Sequence, residues 1–277
     1  MRIRIIDAFT DEPFRGNAAA VCLLDGDSWP DETWMGRLAA EMNLSETVFT
    51  LPGVDGADYG IRWFTPMREV DMCGHATLAA AHALHVDRGG PATVTFSSRS
   101  GILTVQTFAD GSITMDFPAS PTTETPAPDG LADALRVDVV ATYDTGPLGD
   151  LLVEVADEQT VRGLAPDMNA VAAIERAHKI RGLIVTAQAS EYDFISRFFA
   201  PTDGIPEDPV TGSAHTALAP FWGARLGKTN LVGLQASPRS GVVRTEVRDD
   251  RVLLTGRAVT VLDGELQGSS RPVALVS

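Results

Sequence analysis

Arg62-Trp-Phe-Thr-Pro66 with Asp71-Met-Cys-Gly-His-Ala-Thr-Leu78, and Arg197-Phe-Phe-Ala-Pro201 with Asp208-Pro-Val-Thr-Gly-Ser-Ala-His-Thr-Ala-Leu218, are two versions of one pattern. Each reads as a strand, a Pro-ended turn, an acidic loop, and a glycine that opens an alanine-rich helix. The arginines are offset by 135 and the glycines by 138, close to half of the 277-residue chain. Two matches at nearly one offset point to a duplicated half-chain, with three extra residues in the second copy's loop.

A helix start carries unpaired N–H groups and a partial positive charge. A glycine there lets a ligand reach the backbone. Two such starts facing each other would cradle a small anion between two domains, a usual place for a ligand. Backbone donors would also answer the charge balance. The chain has 22 Lys and Arg against 37 Asp and Glu, a formal net charge of −15. That excess counts against nucleic acid and anionic membranes as partners, since both need a basic footprint. It leaves room for an anionic substrate in a local site.

Working outward from the repeats, the chain shows many short strands and few helices. β-Prone runs fall at Ile3–Ile6, Ala20–Leu24, Thr47–Leu51 and Ile61–Phe64. The stretch Trp29–Met42 reads as a helix capped by Ser28, and His75–His85 and His215–Leu226 as the alanine-rich helices. Residues 118–130 hold four prolines, Pro118, Pro121, Pro126 and Pro128. Proline disfavours helix and central strand alike, so 119–130 is expected to be a linker between domains at 1–118 and 131–277. The chain's C-terminus is a candidate addition to the first domain. Cys22 and Cys73 are too few for a disulfide framework. With no signal-length apolar start and no membrane-length run, a cytoplasmic protein with free thiols is expected.

Several residues can carry chemistry. Glu46, in Asn43-Leu-Ser-Glu-Thr-Val-Phe49, stands before apolar strand residues. Desolvation there would raise its pKa toward the range of a general acid or base; the alternative is a solvated loop glutamate. His75 sits at a helix start as a polar site residue. The set His75, His82 and His85 has no acidic partner and no zinc-binding motif, so no metal site is expected. Cys73 could be a thiolate base at the helix N-terminus, but its repeat partner is Thr211, which cannot do that chemistry. Asp208, held extended before Pro209, is either a cap or a structural acid. Phosphate-loop, dinucleotide and serine-hydrolase motifs are all lacking.

Asp7-Ala-Phe-Thr-Asp-Glu-Pro-Phe-Arg-Gly-Asn17, Leu44-Ser-Glu-Thr47, Glu69-Val-Asp-Met-Cys-Gly-His-Ala-Thr77, Glu207-Asp-Pro-Val-Thr-Gly-Ser-Ala-His215 and Gln235-Ala-Ser-Pro-Arg-Ser-Gly241 together resemble the PhzF-like phenazine biosynthesis family. The one departure is Ala18, where the family usually has proline. The resemblance implies an α+β fold of two pseudo-symmetric diaminopimelate-epimerase-like domains. Each would be a barrel-like mixed sheet around a central helix, with the site in the cleft between them. It implies a homodimer that needs no cofactor. Glu46, His75 and Asp208 are then the catalytic residues, and Asn17, Ser45, Cys73, Gly74, Ala76, Thr211, Gly212 and Ser213 bind the substrate.

The function expected is a cofactor-independent isomerase that moves a proton on a small carboxylate-bearing substrate. One alternative is a two-base amino-acid racemase or epimerase, for which the Cys73 thiol is the best support. The other is a non-catalytic small-molecule-binding protein on the same fold.

Overall fold

Where turn residues bound the β-prone runs, the chain forms strands, and its two alanine-rich stretches form its longest helices. The computed structural model describes residues 1–89 and 93–267. One unit comprises Met1–Asp116 and the chain from Thr255 onward; the other is Phe117–Leu254.

The first unit contains β1 (Arg2–Ala8), β2 (Asn17–Leu23), α1 (Glu32–Met42), β3 (Glu46–Pro52), β4 (Tyr59–Phe64), β5 (Glu69–Val70), α2 (Gly74–Arg88), β6 (Thr93–Ser98), β7 (Gly101–Thr107) and β8 (Ile113–Pro118). β1 runs antiparallel to β2, β2 parallel to β3, and β3 antiparallel to β4. β4 then pairs antiparallel with β5 and parallel with β6, and β6 antiparallel with β7. Helix α2 packs against β1, β2, β3, β7 and the last strand, Ala258–Glu265. Strands on several sides leave room only for short side chains, which explains Ala76, Ala79, Ala80 and Ala83, all without solvent exposure. Helix α1 covers another core through Met35, Leu38 and Ala39, against Ile3, Ala20, Phe49 and Phe64. Its cap is Asp31 rather than Ser28: the Asp31 carboxylate accepts the Trp34 N–H at 3.2 Å, so Trp29 and Pro30 stay outside the helix.

The second unit contains β9 (Thr123–Thr125), α3 (Leu131–Leu135), β10 (Val139–Asp144), β11 (Leu151–Val155), α4 (Glu158–Gly163), α5 (Met168–His178), β12 (Leu183–Gln188), β13 (Phe194–Ala200), β14 (Ile205–Asp208), α6 (Gly212–Leu226), β15 (Asn230–Gln235) and β16 (Gly241–Arg248). From β10 to β16 the pairings run antiparallel, parallel, antiparallel, antiparallel, parallel, antiparallel. That is the order found from β1 to β7. Period-two alternation divides the side chains between two faces. Leu152, Ile184, Phe194 and Phe198 pack on Ala217, Leu218, Phe221 and Trp222 of α6. Their neighbours Leu151, Val153, Leu183, Val185 and Ile195 pack on the layer of α3, α4 and α5. Each such large side chain, fully buried, contributes about 1.5–3 kcal/mol.

The repeated arginines do the same work in both units. Arg62 donates from Nε and Nη2 to Glu69 at 2.7 and 2.6 Å, and Arg197 to Glu207 at 2.7 and 2.8 Å. These glutamates are 138 apart, so the three extra residues fall between arginine and glutamate.

One boundary differs from expectation. Residues 119–130 belong to the second unit, where Thr123–Thr125 pairs with β10. A three-residue strand between prolines satisfies its ladder without a proline inside it. Pro220 within α6 also ties this segment down. Lacking an N–H, it leaves the Thr216 carbonyl without its helical donor, and Ser120 N–H fills that place at 3.0 Å. The second unit ends at Leu254, and the strand after it counts with the first unit, the addition that the sequence left open. Ala258–Glu265 leaves it to run antiparallel along the whole of β1, and residues 268–277 lie outside the described residues.

Candidate active site

Three element starts converge in the first unit. Asn43 takes a left-handed conformation, φ 50°, and closes α1 through its N–H to Ala39 O. The chain then enters β3 at Glu46, which pairs with Ala19 of β2. Asn17 is the first residue of β2, and His75 is the second residue of α2. All three side chains are buried, with Asn17 fully enclosed and Glu46 8% exposed.

Asn17 Nδ2 lies 3.1 Å from His75 Nδ1, and His75 Nε2 lies 3.2 Å from Glu46 Oε2. With the amide nitrogen assigned as donor, Nδ1 accepts and the ring proton sits on Nε2, beside the carboxylate but not hydrogen-bonded to it. Burial pushes the His75 pKa down to about 3, so the ring is neutral at physiological pH. Cys73 is the N-cap residue of α2 but makes no capping bond; its Sγ is 3.5 Å from His75 Nδ1. Ser45 is half-buried beside Glu46, Gly74 is buried at the helix start, and Ala76 is enclosed in the α2 core.

The second unit builds a different group at the start of α6. Asp208 ends β14 and accepts from Thr211 Oγ1 at 2.5 Å. Gln235, at the end of β15, accepts the Thr211 N–H at 2.8 Å and donates to Asp208 O at 2.8 Å. The Thr211 hydroxyl is thereby turned away from the helix, and α6, like α2, starts without a side-chain cap. Gly212 and Ser213 form its first turn. His215 Nδ1 meets Thr211 O at 2.8 Å, as Thr77 Oγ1 meets Cys73 O at 2.6 Å, 138 residues earlier.

The chain as a whole matches a known family. The model of the phenazine biosynthesis-like proteins, PhzC-PhzF, matches residues 6–264. The chain belongs to the PhzC-PhzF family. An uncharacterized isomerase of Pseudomonas aeruginosa is 46% identical over 263 residues, covering 94% of this chain and 96% of the relative. The crystal structure of a PhzF-family phenazine biosynthesis protein from Enterococcus faecalis superposes with a TM-score of 0.89. It is 41% identical, over 96% of this chain and 98% of that one. The mixed α/β architecture, rich in strands and with few helices, is therefore that of PhzF-family proteins. A hydroxyproline epimerase from Agrobacterium vitis, solved with bound trans-4-hydroxy-L-proline, shares the fold at a TM-score of 0.59 and 12% identity, over 95% of this chain and 91% of that one.

Two further observations bear on the candidate site. Glu46, Cys73 and His75 each bring one potential metal-ligating atom within 4.8 Å of the others. His82, from the three-histidine set, bonds Thr260 Oγ1 at 3.2 Å instead. Sequence reasoning did not single out Gln235 for the site. Its signal was present: it opens one of the motifs that carry the family resemblance. Among the described residues, no helix is long and apolar enough to cross a membrane.

Proposed function

We propose that this protein is a cofactor-independent isomerase that moves a proton on a small carboxylate-bearing substrate. The carrying observation is the buried Glu46 carboxylate facing a neutral imidazole whose tautomer Asn17 holds. Glu46 takes a proton from a C–H bond, whose electron pair delocalises toward the substrate's carboxylate. It returns the proton to another carbon of the same substrate, so the C–H broken and the C–H formed balance. His75 Nε2 stands against Glu46 Oε2 at contact distance without hydrogen-bonding it, so that oxygen is walled off by the ring. Staying neutral, it does not compete for the proton.

Asp208, Thr211, Gly212 and Ser213 complete the proposal as the group that holds the substrate's carboxylate, through donors at an uncapped helix start. The pseudo-symmetric pair of diaminopimelate-epimerase-like domains belongs to the same proposal; its support is the recurring order of strand pairings. A homodimer is proposed as well, and light scattering measures it.

The isomerase name of the Pseudomonas relative supports the reaction type. The two-base reading draws on the Cys73 thiol beside His75, but the hydroxyl of Thr211 at the matching place is engaged by Asp208. The test is deuterium incorporation from deuterated water into a panel of small carboxylic acids, read by mass spectrometry. Wild type should label at least one acid and Glu46→Gln none; equal labelling by both would refute the assignment.

A further inference from the structure

The register of the two sheets shows what stands in the second unit where the first has its base. Thr47 pairs with Phe64, and Leu183 pairs with Phe199, the repeat partner of Phe64. The residue before Thr47 is Glu46; the residue before Leu183 is Gly182. A β-carbon on Gly182 would sit 2.4 Å from the Phe198 ring, so a side chain there would have to push that ring aside. That ring lies under the guanidinium of the preceding residue, Arg181, 5.5 Å from its centroid.

Arg181 is held from behind. Its Nη2 donates to Asp150 Oδ2 at 2.5 Å, and Asp150 is enclosed, its own N–H bonded to Thr145 Oγ1 at 2.9 Å. The same Nη2 reaches Ser213 Oγ at 3.1 Å, in the first turn of α6. A serine oxygen that accepts from a cation keeps its own O–H to donate. The hydroxyl is thereby polarised, since a hydrogen bond to a charged group is roughly twice as strong as a neutral one.

We propose that Arg181 is a positioning residue: by donating to Ser213 Oγ it makes that hydroxyl a dedicated donor, so the start of α6 selects a carboxylate over a carboxamide. This rests on the reading in which Ser213 holds the substrate's carboxylate. A carboxylate offers only acceptors to such a surface. A carboxamide must turn its NH2 group toward donors and loses one bond.

The test is a double-mutant cycle on benzoate binding, followed by NMR titration, with benzamide as the neutral control. Removing the cation alone would leave a buried carboxylate uncompensated, so the cycle is run in the Asp150→Asn background. There, Arg181→Met should weaken benzoate about tenfold, the size expected for one charge-assisted hydrogen bond. With Ser213→Ala also present, the same change should cost less than twofold. In the otherwise wild-type chain Arg181→Lys, which keeps a cationic donor on Asp150, should cost two- to fivefold by the scale of an imperfect bond; this variant stands in if the cycle proteins fail to fold. Equal weakening with and without the Ser213 hydroxyl, or a Lys variant indistinguishable from wild type, would overturn the inference and leave the carboxylate reading standing. Benzamide binding wild type as tightly as benzoate would overturn both.

Discussion

The starts of α2 and α6 share a backbone design and differ in every side chain that matters. Both open on a buried glycine, lack a side-chain cap, and bond the cap residue's carbonyl one turn on, through Thr77 or His215. Around α2 the groups are those of proton transfer: a carboxylate, a neutral imidazole and a thiol within contact of one another. Around α6 they are hydroxyls and an amide, braced by Asp208 on one side and by Arg181 with Asp150 on the other. Gly182 stands where the register would put a second Glu46, and a side chain there would collide with the Phe198 ring. Under the proposed function the two helix starts divide the labour: one moves the proton and the other holds charge.

Breaking the first half should have the largest effect. Glu46→Gln is close to isosteric and should lower turnover by roughly 10²–10⁴, the worth of a positioned acid–base group, while the affinity for a carboxylate ligand stays within about twofold. Steady-state kinetics and a binding titration on one preparation check both. Asp208→Asn weakens the bond that turns Thr211 away from the helix. It should raise KM about tenfold, by the scale of a hydrogen bond to a charged group, with kcat changed much less.

Acid stability sets the buried histidines of both halves against the Asp150 carboxyl. Burial pushes His75 down to about 3 and His215 to about 4, from 6.5. Below pH 6.5 the unfolded chain therefore binds protons that the native chain refuses, so these groups make stability fall as pH falls toward those values. Asp150 has the opposite sign. Burial raises it to about 6 against the pull of Arg181, so between about 6 and 3.8 the native chain holds the extra proton and gains stability on acidification. Thermal unfolding from pH 7 to 4.5 should thus show a falling midpoint. The fall should be shallower in His215→Gln, which removes a refused proton, and steeper in Asp150→Asn, which removes the offset.

The two helix starts on which the proposal rests are legible in the sequence. Glycine, proline and aromatic residues punctuate both repeats, and their offsets of 135 and 138 located both helix starts and the extra loop residues. Glu46 stood out because a carboxylate preceded an apolar strand. The contacts among these groups did not stand out. Asn17 meets His75 across 58 residues and Arg181 meets Ser213 across 32, contacts created by strand pairing with no local pattern to announce them. The proline-rich stretch misled for a related reason: proline disfavours a central strand, yet Thr123–Thr125 needs only three residues free of it to pair with β10.

Smaller effects sharpen the picture. Gly212→Ala should raise the dissociation constant for a carboxylate several-fold by hindering approach to the α6 backbone. The melting midpoint should move by only a few degrees, about 1 kcal/mol for a chain of this size. The mildest change should be Cys73→Ser, which keeps a polar group beside His75 and should retain a substantial share of the rate. A folded, inactive Cys73→Ser protein would instead favour a thiol base and a two-base mechanism.

The division of labour itself is tested by one comparison: the kcat and KM of Glu46→Gln and Asp208→Asn on the acid that wild type labels most rapidly in deuterated water. The account expects Glu46→Gln to lose its effect-bearing share in kcat with KM nearly unchanged, and Asp208→Asn to lose it in KM with kcat largely kept. Asp208→Asn losing kcat as severely as Glu46→Gln would contradict it, because the second half would then be moving the proton too.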